Sequence, residues 1–146
     1  MIRMLFVTLV SVGSLVLTMN ISMYESSSDF LNEDLEVAVH DAALSVDFQQ
    51  FSKGEIVFDA AAAKSEFEKS LELNDNLKPG DYKILRFKVL DDSNTTFPFT
   101  YNDPDFKYTN TFFGPTILAI VQTNSNQYFS YNKTIRKSAS YSYKIK

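Results

Sequence analysis

The only histidine, His40, is the side chain whose surroundings come closest to those of an acid–base catalyst. Glu36 precedes His40 by four residues, a spacing at which two side chains meet on one face of a helix. A general base also needs a nucleophile within reach, and the pattern around His40 implies none. We therefore interpret His40 as a surface or interface residue.

Two acidic pairs, Asp91-Asp92 and Asp103 with Asp105, could supply oxygen ligands to a hard cation. A calcium loop needs several such ligands at ordered spacing and a permissive glycine, and residues 102–105 offer only its beginning. Turns are the simpler interpretation of both pairs. The sequence has no cysteine, no glycine-rich phosphate loop, no nucleophile elbow and no paired-histidine metal motif. We predict no catalytic, cofactor-binding or metal-binding residues, no cofactor and no enzymatic activity.

The N-terminus carries the strongest signal in the sequence. Between Arg3 and Glu25 lie 21 uncharged residues, Met4 to Tyr24. An α-helix of that length matches a hydrocarbon core of about 30 Å. A cleaved signal peptide is the main alternative, but residues 18–24 show no small-x-small cleavage site. We predict a retained membrane anchor over residues 1–24, with a cytoplasmic N-terminus because Arg3 precedes the span.

The residues after the anchor are predicted to form a mainly helical first half of the domain. Apolar residues recur at spacings of three and four and predict an amphipathic helix from about Phe30 to Phe48. No proline or glycine separates it from the anchor, so one long rod is expected. Gly54 is a plausible left-handed terminator, and Glu55–Phe58 is a short extended stretch. Asp59 then caps a second helix over residues 60–71, which Asn74–Gly80 ends.

The second half of the chain reads as β-structure. In Tyr82–Leu90, alternation places Leu85, Phe87 and Val89 on one face and Ile84, Arg86 and Lys88 on the other. Turns are predicted at Asp91–Asn94 and Asn124–Asn126. The further predicted strands, in chain order, are Phe97–Tyr101, Phe106–Phe113, Thr116–Thr123, Tyr128–Ile135 and Ser140–Lys146. The expected fold is α+β: a membrane helix continuing into an amphipathic helix, a short second helix, then an antiparallel sheet of four to six strands. The predicted domain spans residues 25–146, mainly helical over 25–78 and mainly β over 79–146.

Charge is unevenly divided along the chain. Residues 20–76 contain 13 acids and 3 bases, whereas residues 77–146 contain 5 acids and 10 bases. This asymmetry suits either head-to-tail packing of copies or a helical hairpin with a solvated acidic face. The scattered bases and the net charge of −4 argue against nucleic-acid binding.

The stretch after the anchor resembles a known family. Val39–Asp47 with its Asp-Ala-Ala-Leu element, then Gly54–Asp59, then Ala63, Phe67, Leu71 and Asn74, resembles the post-anchor region of TadE/TadG-like proteins of the Gram-positive type. These are minor pilins, or pseudopilins, of tight-adherence pilus systems. The resemblance covers about 40 residues plus the anchor position. It departs from part of the family because no prepilin processing site precedes the hydrophobic run.

The resemblance and the layout of the chain imply a structural, pilin-like minor subunit of a membrane-associated pilus or secretion apparatus. Its partners would be membrane lipid and other pilin or pilus-assembly subunits. Its location would be the cell membrane, single-pass with an extracytoplasmic C-terminal domain, with incorporation into a surface filament as a further step. The alternative is a signal-anchored extracytoplasmic binding or adhesion domain that holds a cell-surface protein or glycan on aromatic residues of the sheet.

Overall fold

The computed structural model describes residues 2–73, 82–125 and 133–144, and it confirms the α+β class. Helices form the first half of the chain and antiparallel strands form the second. The elements, in chain order, are α1 (Ile2–Ala43), α2 (Phe48–Phe51), α3 (Ala60–Leu73), β1 (Tyr82–Leu90), β2 (Phe99–Asp103), β3 (Tyr108–Phe112), β4 (Thr116–Ser125) and β5 (Lys133–Ser142).

Helix α1 is one unbroken rod of 42 residues, as the absence of proline and glycine near the junction predicts. Its second half buries an apolar stripe against the domain, because residues three and four apart share a helix face. The predicted end at Phe48 is wrong, since α1 stops at Ala43. The backbone of Ser45 and Asp47 pairs instead with Asp59 and Val57, which draws the chain out of the helix. The buried stripe consists of Leu31, Leu35, Ala38, Val39, Ala42 and Ala43.

The segment after α1 folds back over the end of the helix. Asp47 caps the single turn of α2 by accepting the backbone N–H of Gln49 at 2.8 Å. Gly54 then reverses the chain with a φ of +88°, the left-handed conformation expected of it. Val46 and Phe58 form one antiparallel bridge, so the predicted extended stretch is present.

Helix α3 begins where its sequence predicts. The Asp59 carboxylate accepts the backbone N–H groups of Ala61 and Ala62, each at 3.0 Å, and so satisfies two donors that a helix start leaves open. The predicted terminator at Asn74–Gly80 lies outside the described residues. The apolar stripe of α3 is buried against α1 and β1 and consists of Ala63, Phe67 and Leu71.

Strand β4 is the centre of a three-stranded antiparallel sheet with the order β1-β4-β5. Nearly every side chain of β4 is buried, because helices cover one face of the sheet and a hairpin covers the other. The predicted turn at Asn124–Asn126 is wrong for its first two residues, since Asn124 and Ser125 still pair with Thr134 and Lys133. The two short segments predicted near the C-terminus form one strand, β5, over the residues described there.

A bulge in β1 overturns the predicted faces of that strand. The register against β4 shifts between Ile84 and Arg86, which places one extra residue in β1. A one-residue insertion exchanges the faces of every side chain before it. Ile84 therefore packs into the main core with Phe87 and Val89, and Leu85 does not share their side.

The remaining strands, β2 and β3, form a separate two-stranded antiparallel sheet. In the described part of the chain the five strands are thus divided three and two rather than joined in one sheet. The hairpin packs Phe112, Phe99 and Tyr101 over Leu90 and Leu118. These aromatics line a second, smaller core, so the period-two aromatic pattern has a packing role.

The domain consequently has three layers. Ile117, Ala119 and Val121 of β4 point to the helices, while Leu118 points to the β2–β3 hairpin. This alternation is the period of two that a strand imposes on its side chains. Helices α1 and α3 and the hairpin therefore lie on opposite sides of the central sheet.

Candidate membrane anchor and interaction surfaces

The first half of α1 projects from the domain with its apolar side chains uncovered. None of its most apolar 18-residue stretch is buried, and within the described residues α1 is the one helix long and apolar enough to cross a membrane. Met4 is 80% exposed and Leu15 is 61% exposed. A core helix of a soluble protein would bury such residues, so this half needs an apolar surrounding other than the domain.

Polar residues within this half are satisfied by the helix itself. The hydroxyls of Thr8 and Thr18 donate to the carbonyls of Met4 and Ser14 at 2.9 and 3.0 Å. Such bonds remove the cost of placing a hydroxyl in hydrocarbon. Neither threonine therefore brings an unpaired hydroxyl into the apolar half of α1.

Tyr24, the last residue of the uncharged run, marks where the rod meets the domain. The ammonium of Lys133, at the start of β5, lies 4.1 Å from the centroid of the Tyr24 ring, a cation–π contact. At the other end of β5, the Tyr143 hydroxyl donates to the Ala43 carbonyl at 2.8 Å. Contacts at both ends show that β5 runs alongside α1 in the same direction.

His40 does not pair with Glu36 as the spacing suggested. Glu36 accepts a hydrogen bond from Asn32 at 2.8 Å, and the His40 ring meets the edge of Tyr141 at a centroid distance of 4.9 Å. The Asp41 carboxylate lies beside His40, with its Oδ1 3.7 Å from Nδ1. Asp41 also accepts the Ser70 hydroxyl at 2.7 Å and so ties α1 to α3. His40 is an interface residue between α1 and β5.

Asp91 and Asp92 bind backbone. The Asp91 carboxylate accepts the N–H of Phe58 at 3.0 Å and the Ser93 hydroxyl at 2.6 Å, while Asp92 accepts the N–H of Ile56 at 2.8 Å. The pair forms the predicted turn and also clamps the extended segment that follows Gly54. In residues 2–73, 82–125 and 133–144, no three histidine, cysteine, aspartate or glutamate side chains cluster in a way that could hold a metal ion.

The Asp91 clamp predicts a specific loss of stability. In D91A the buried N–H of Phe58 loses its acceptor, and we expect the free energy of unfolding to fall by about 2–3 kcal/mol. D92A, which removes an exposed acceptor one residue away, is the matched control and should cost about 1 kcal/mol or less. Urea unfolding of the detergent-solubilised chain measures both. Equal losses in the two variants would contradict a special role for Asp91.

Asp103 and Asp105 both bind Arg86. The Asp103 carboxylate is buried and accepts Arg86 Nε at 2.9 Å and the Tyr101 hydroxyl at 3.1 Å, and the exposed Asp105 accepts Arg86 Nη2 at 2.8 Å. Burial by itself raises the pKa of Asp103, but the hydrogen bonds from Tyr101 and Arg86 outweigh it and hold that pKa below its ordinary value. The second acidic pair is therefore one side of an ion-pair cluster.

The lowered pKa of Asp103 predicts how stability responds to acid. The carboxylate stabilises the fold above the ordinary aspartate pKa of 3.8, and this contribution disappears as the pH falls from there through the lower folded-state pKa. We expect D103N to be less stable than the parent at pH 7 and to lose less stability on acidification. Y101F, which removes one donor, should be intermediate. Unfolding curves at pH 7, 4 and 3 test this; identical pH profiles for D103N and the parent would contradict it.

A basic cleft lies between the β2–β3 hairpin and the outer face of the central sheet. Its cavity measures about 330 Å³. Arg136 lies 4.9 Å from the centroid of the Phe106 ring, and its Nη2 donates to Gln122 at 3.3 Å. In the part of the chain that the structure describes, no carboxylate lies within 4.0 Å of the cations of Lys107, Arg136 or Lys137. The basic cleft is lined by Phe106, Lys107, Tyr108, Ile120, Arg136, Lys137 and Ser138.

An uncovered apolar row on α1 escaped the sequence reasoning. Phe30 and Val37 of α1 and Leu44, the residue after its end, are spaced seven residues apart and are 43%, 48% and 60% exposed. A seven-residue step returns to nearly the same side of a helix. The same step continues through the anchor as Ile2, Leu9, Val16 and Met23, so a search for a period of seven would have found the row.

Comparison with known proteins identifies no relative. No protein-family model, no curated protein and no solved structure matches the chain.

Proposed function

We propose that this chain is a structural, pilin-like minor subunit of a membrane-associated pilus or secretion apparatus. The observation that carries the proposal is the unbroken α1, whose apolar first half has no buried residue while its second half forms part of the core of the domain. A single helix of this kind joins a membrane, or the apolar interior of an assembly, to an exposed domain without a hinge. The local resemblance to TadE/TadG-like proteins supports the same function.

The mechanism follows from the two halves of α1. The apolar half holds the subunit in the bilayer, because about 20 apolar residues span the hydrocarbon core. The domain, fixed rigidly to that half, then presents its side faces to neighbouring subunits. Binding and positioning, rather than chemistry, are the work of such a subunit.

Co-purification tests the pilus assignment. We expect the full chain, extracted from its native membrane in mild detergent, to bring down pilus-assembly components, and deletion of its gene to reduce piliation. The same extraction from a strain that expresses L9R/V12R, a variant that we expect not to enter the membrane, controls for capture after lysis. Normal piliation in the deletion strain would contradict the proposal.

Topology is tested independently because the chain has no cysteine of its own. On the proposed orientation, a single cysteine at the exposed Thr109 reacts with a membrane-impermeant maleimide in intact cells, and one at Ile2 does not. Both should react after the membrane is permeabilised. Labelling of the Ile2 position in intact cells would reverse the orientation derived from Arg3.

The basic cleft supports a second candidate, an anchored binding or adhesion domain. Phe106 and Tyr108 offer aromatic surface, and Arg136 offers a guanidinium without a carboxylate partner among the described residues. Such a combination suits an acidic sugar chain, which stacks its rings and pairs its carboxylates. Oxidative footprinting with and without polygalacturonate tests it. Protection of Phe106 and Tyr108 supports the candidate, and unchanged oxidation contradicts it.

A further inference from the structure

Two surfaces on opposite sides of the domain have complementary charge and lie at the same level along the rod. The first, the helix face, consists of Asp29, Phe30, Glu33 and Val37 on the outer side of α1. All four are exposed. The second is the basic cleft, which lies beyond the central sheet.

The distance of each surface from the end of the anchor, measured along α1, follows from the contact between Tyr24 and Lys133. This contact places the first residue of β5 beside the end of the anchor. An α-helix rises about 1.5 Å per residue, so Asp29 to Val37 lie roughly 8–20 Å beyond Tyr24. A strand rises about 3.3 Å per residue, so Arg136 to Ser138 lie roughly 10–17 Å beyond Lys133. Copies anchored in one membrane share the same reference level. The helix face of one copy therefore stands opposite the basic cleft of the next.

The chemistry of the two surfaces is also matched. The helix face presents two carboxylates beside two apolar side chains, and the basic cleft presents the cations of Lys107 and Arg136 beside two aromatic rings. Within the described residues the carboxylates of Asp29 and Glu33 have no cation within 4.0 Å. The two surfaces thus carry opposite charges, and each has apolar area that the other can cover.

We propose that copies of this chain associate side by side, with the helix face of one copy seated in the basic cleft of its neighbour. The contact joins two different surfaces, so it is heterologous and leaves one of each surface open at the two ends of any row. It therefore propagates instead of stopping at a dimer. This inference rests on the proposed function, because it names the neighbour that such a subunit contacts.

Disulfide crosslinking in proteoliposomes of the purified full chain tests the contact. Because the chain has no natural cysteine, only the introduced cysteines can form disulfides. V37C/S138C places one cysteine on each surface. We expect mild oxidation to give a ladder of dimers, trimers and larger species, since every molecule links to two others. V37C alone and S138C alone should remain monomeric. V37C/F113C is the matched control, because Phe113 is exposed but lies outside the basic cleft, and should give no ladder.

Charge reversal then tests the chemistry of the contact. In the V37C/S138C background, E33R or R136E should each slow ladder formation at least about tenfold, since like charges then face each other. E33R/R136E exchanges the two charges and should restore the ladder, which also shows that the variants fold. A ladder insensitive to all three changes would overturn the proposal. Dimers from V37C alone would overturn it too, in favour of a symmetric helix-to-helix contact.

The outcome is separable from that of the pilus assignment. The liposomes contain no other component, so a ladder without co-purifying pilus proteins would leave the lateral contact standing and remove the pilus role. Co-purification without a ladder would do the opposite. No ladder, together with binding of polygalacturonate by the parent but not by R136E, would assign the basic cleft to an acidic sugar chain instead.

Discussion

We expect replacement of Leu9 and Val12 by arginine to remove the chain from the membrane fraction. Both side chains are more than half exposed in the uncovered part of α1, so the domain does not need them. One arginine near the centre of a spanning helix raises its insertion free energy by about 2.5–3.5 kcal/mol, so two raise it by roughly 5–7 kcal/mol. Carbonate extraction followed by immunoblotting measures the distribution, and an intact mass shows whether the N-terminus is retained.

L44R is the control for this double substitution. Leu44 directly follows the same helix and is 60% exposed, but it lies about 30 Å beyond Tyr24 at the helical rise of about 1.5 Å per residue. We expect L44R to stay in the membrane fraction with the parent. Extraction of L44R and L9R/V12R to the same extent would show that arginine acts through general destabilisation and not through the anchor.

F67A causes the largest expected loss of folding stability, about 3–5 kcal/mol. The Phe67 side chain is fully buried where α3 meets α1 and β1, and its ring lies 5.1 Å from that of Phe87. Truncation forfeits the transfer free energy of the ring and opens a cavity between helix and sheet. Urea unfolding followed by circular dichroism gives the difference in free energy.

F48A is the matched control for F67A. Phe48 also lies in a helix, but its side chain is 81% exposed, so its removal should change the free energy of unfolding by no more than about 0.5 kcal/mol. A loss in F48A as large as that in F67A would mean that the α2 turn is covered by something other than solvent. Measuring the F48A loss on monomeric and on liposome-bound chain would then show what covers the α2 turn.

The helices were predictable because their signals are local. The 21 uncharged residues, the spacing of three and four beyond Phe30 and the Asp59 cap each act within a few residues of the backbone they organise. The end of α1 was not predictable in the same way. The backbone bonds of Ser45 and Asp47 to Asp59 and Val57 are what end it, and that pairing depends on how the chain returns after Gly54.

The positions of the strands were predicted more accurately than their pairing. Tyr82–Leu90 was predicted to the residue, but alternation alone cannot show a bulge, so Ile84 and Leu85 were assigned to the wrong sides. The division into two sheets was hidden for a related reason. Aromatics at every second position suit a strand in either sheet, and only the contact of Phe112 with Leu90 and Leu118 shows which layer they fill.

The surfaces depended on tertiary structure most of all. From the sequence, Asp91 and Asp103 were interpreted as acidic residues of turns. In the structure, Asp91 binds the backbone of a distant segment and Asp103 binds Arg86. The basic cleft assembles Phe106 and Arg136, which are 30 residues apart along the chain. Of these surfaces, only the apolar row at steps of seven along α1 could have been found from the sequence alone.

The continuity of α1 has a mechanical consequence. A helix without a glycine or proline near its junction is stiff in torsion, and it is held to the sheet near Lys133 and again at Tyr143. Any rotation of the apolar half about the helix axis therefore turns the domain through the same angle. A force that pulls the domain along the helix axis is likewise transmitted directly to the apolar half, because no flexible segment lies between them.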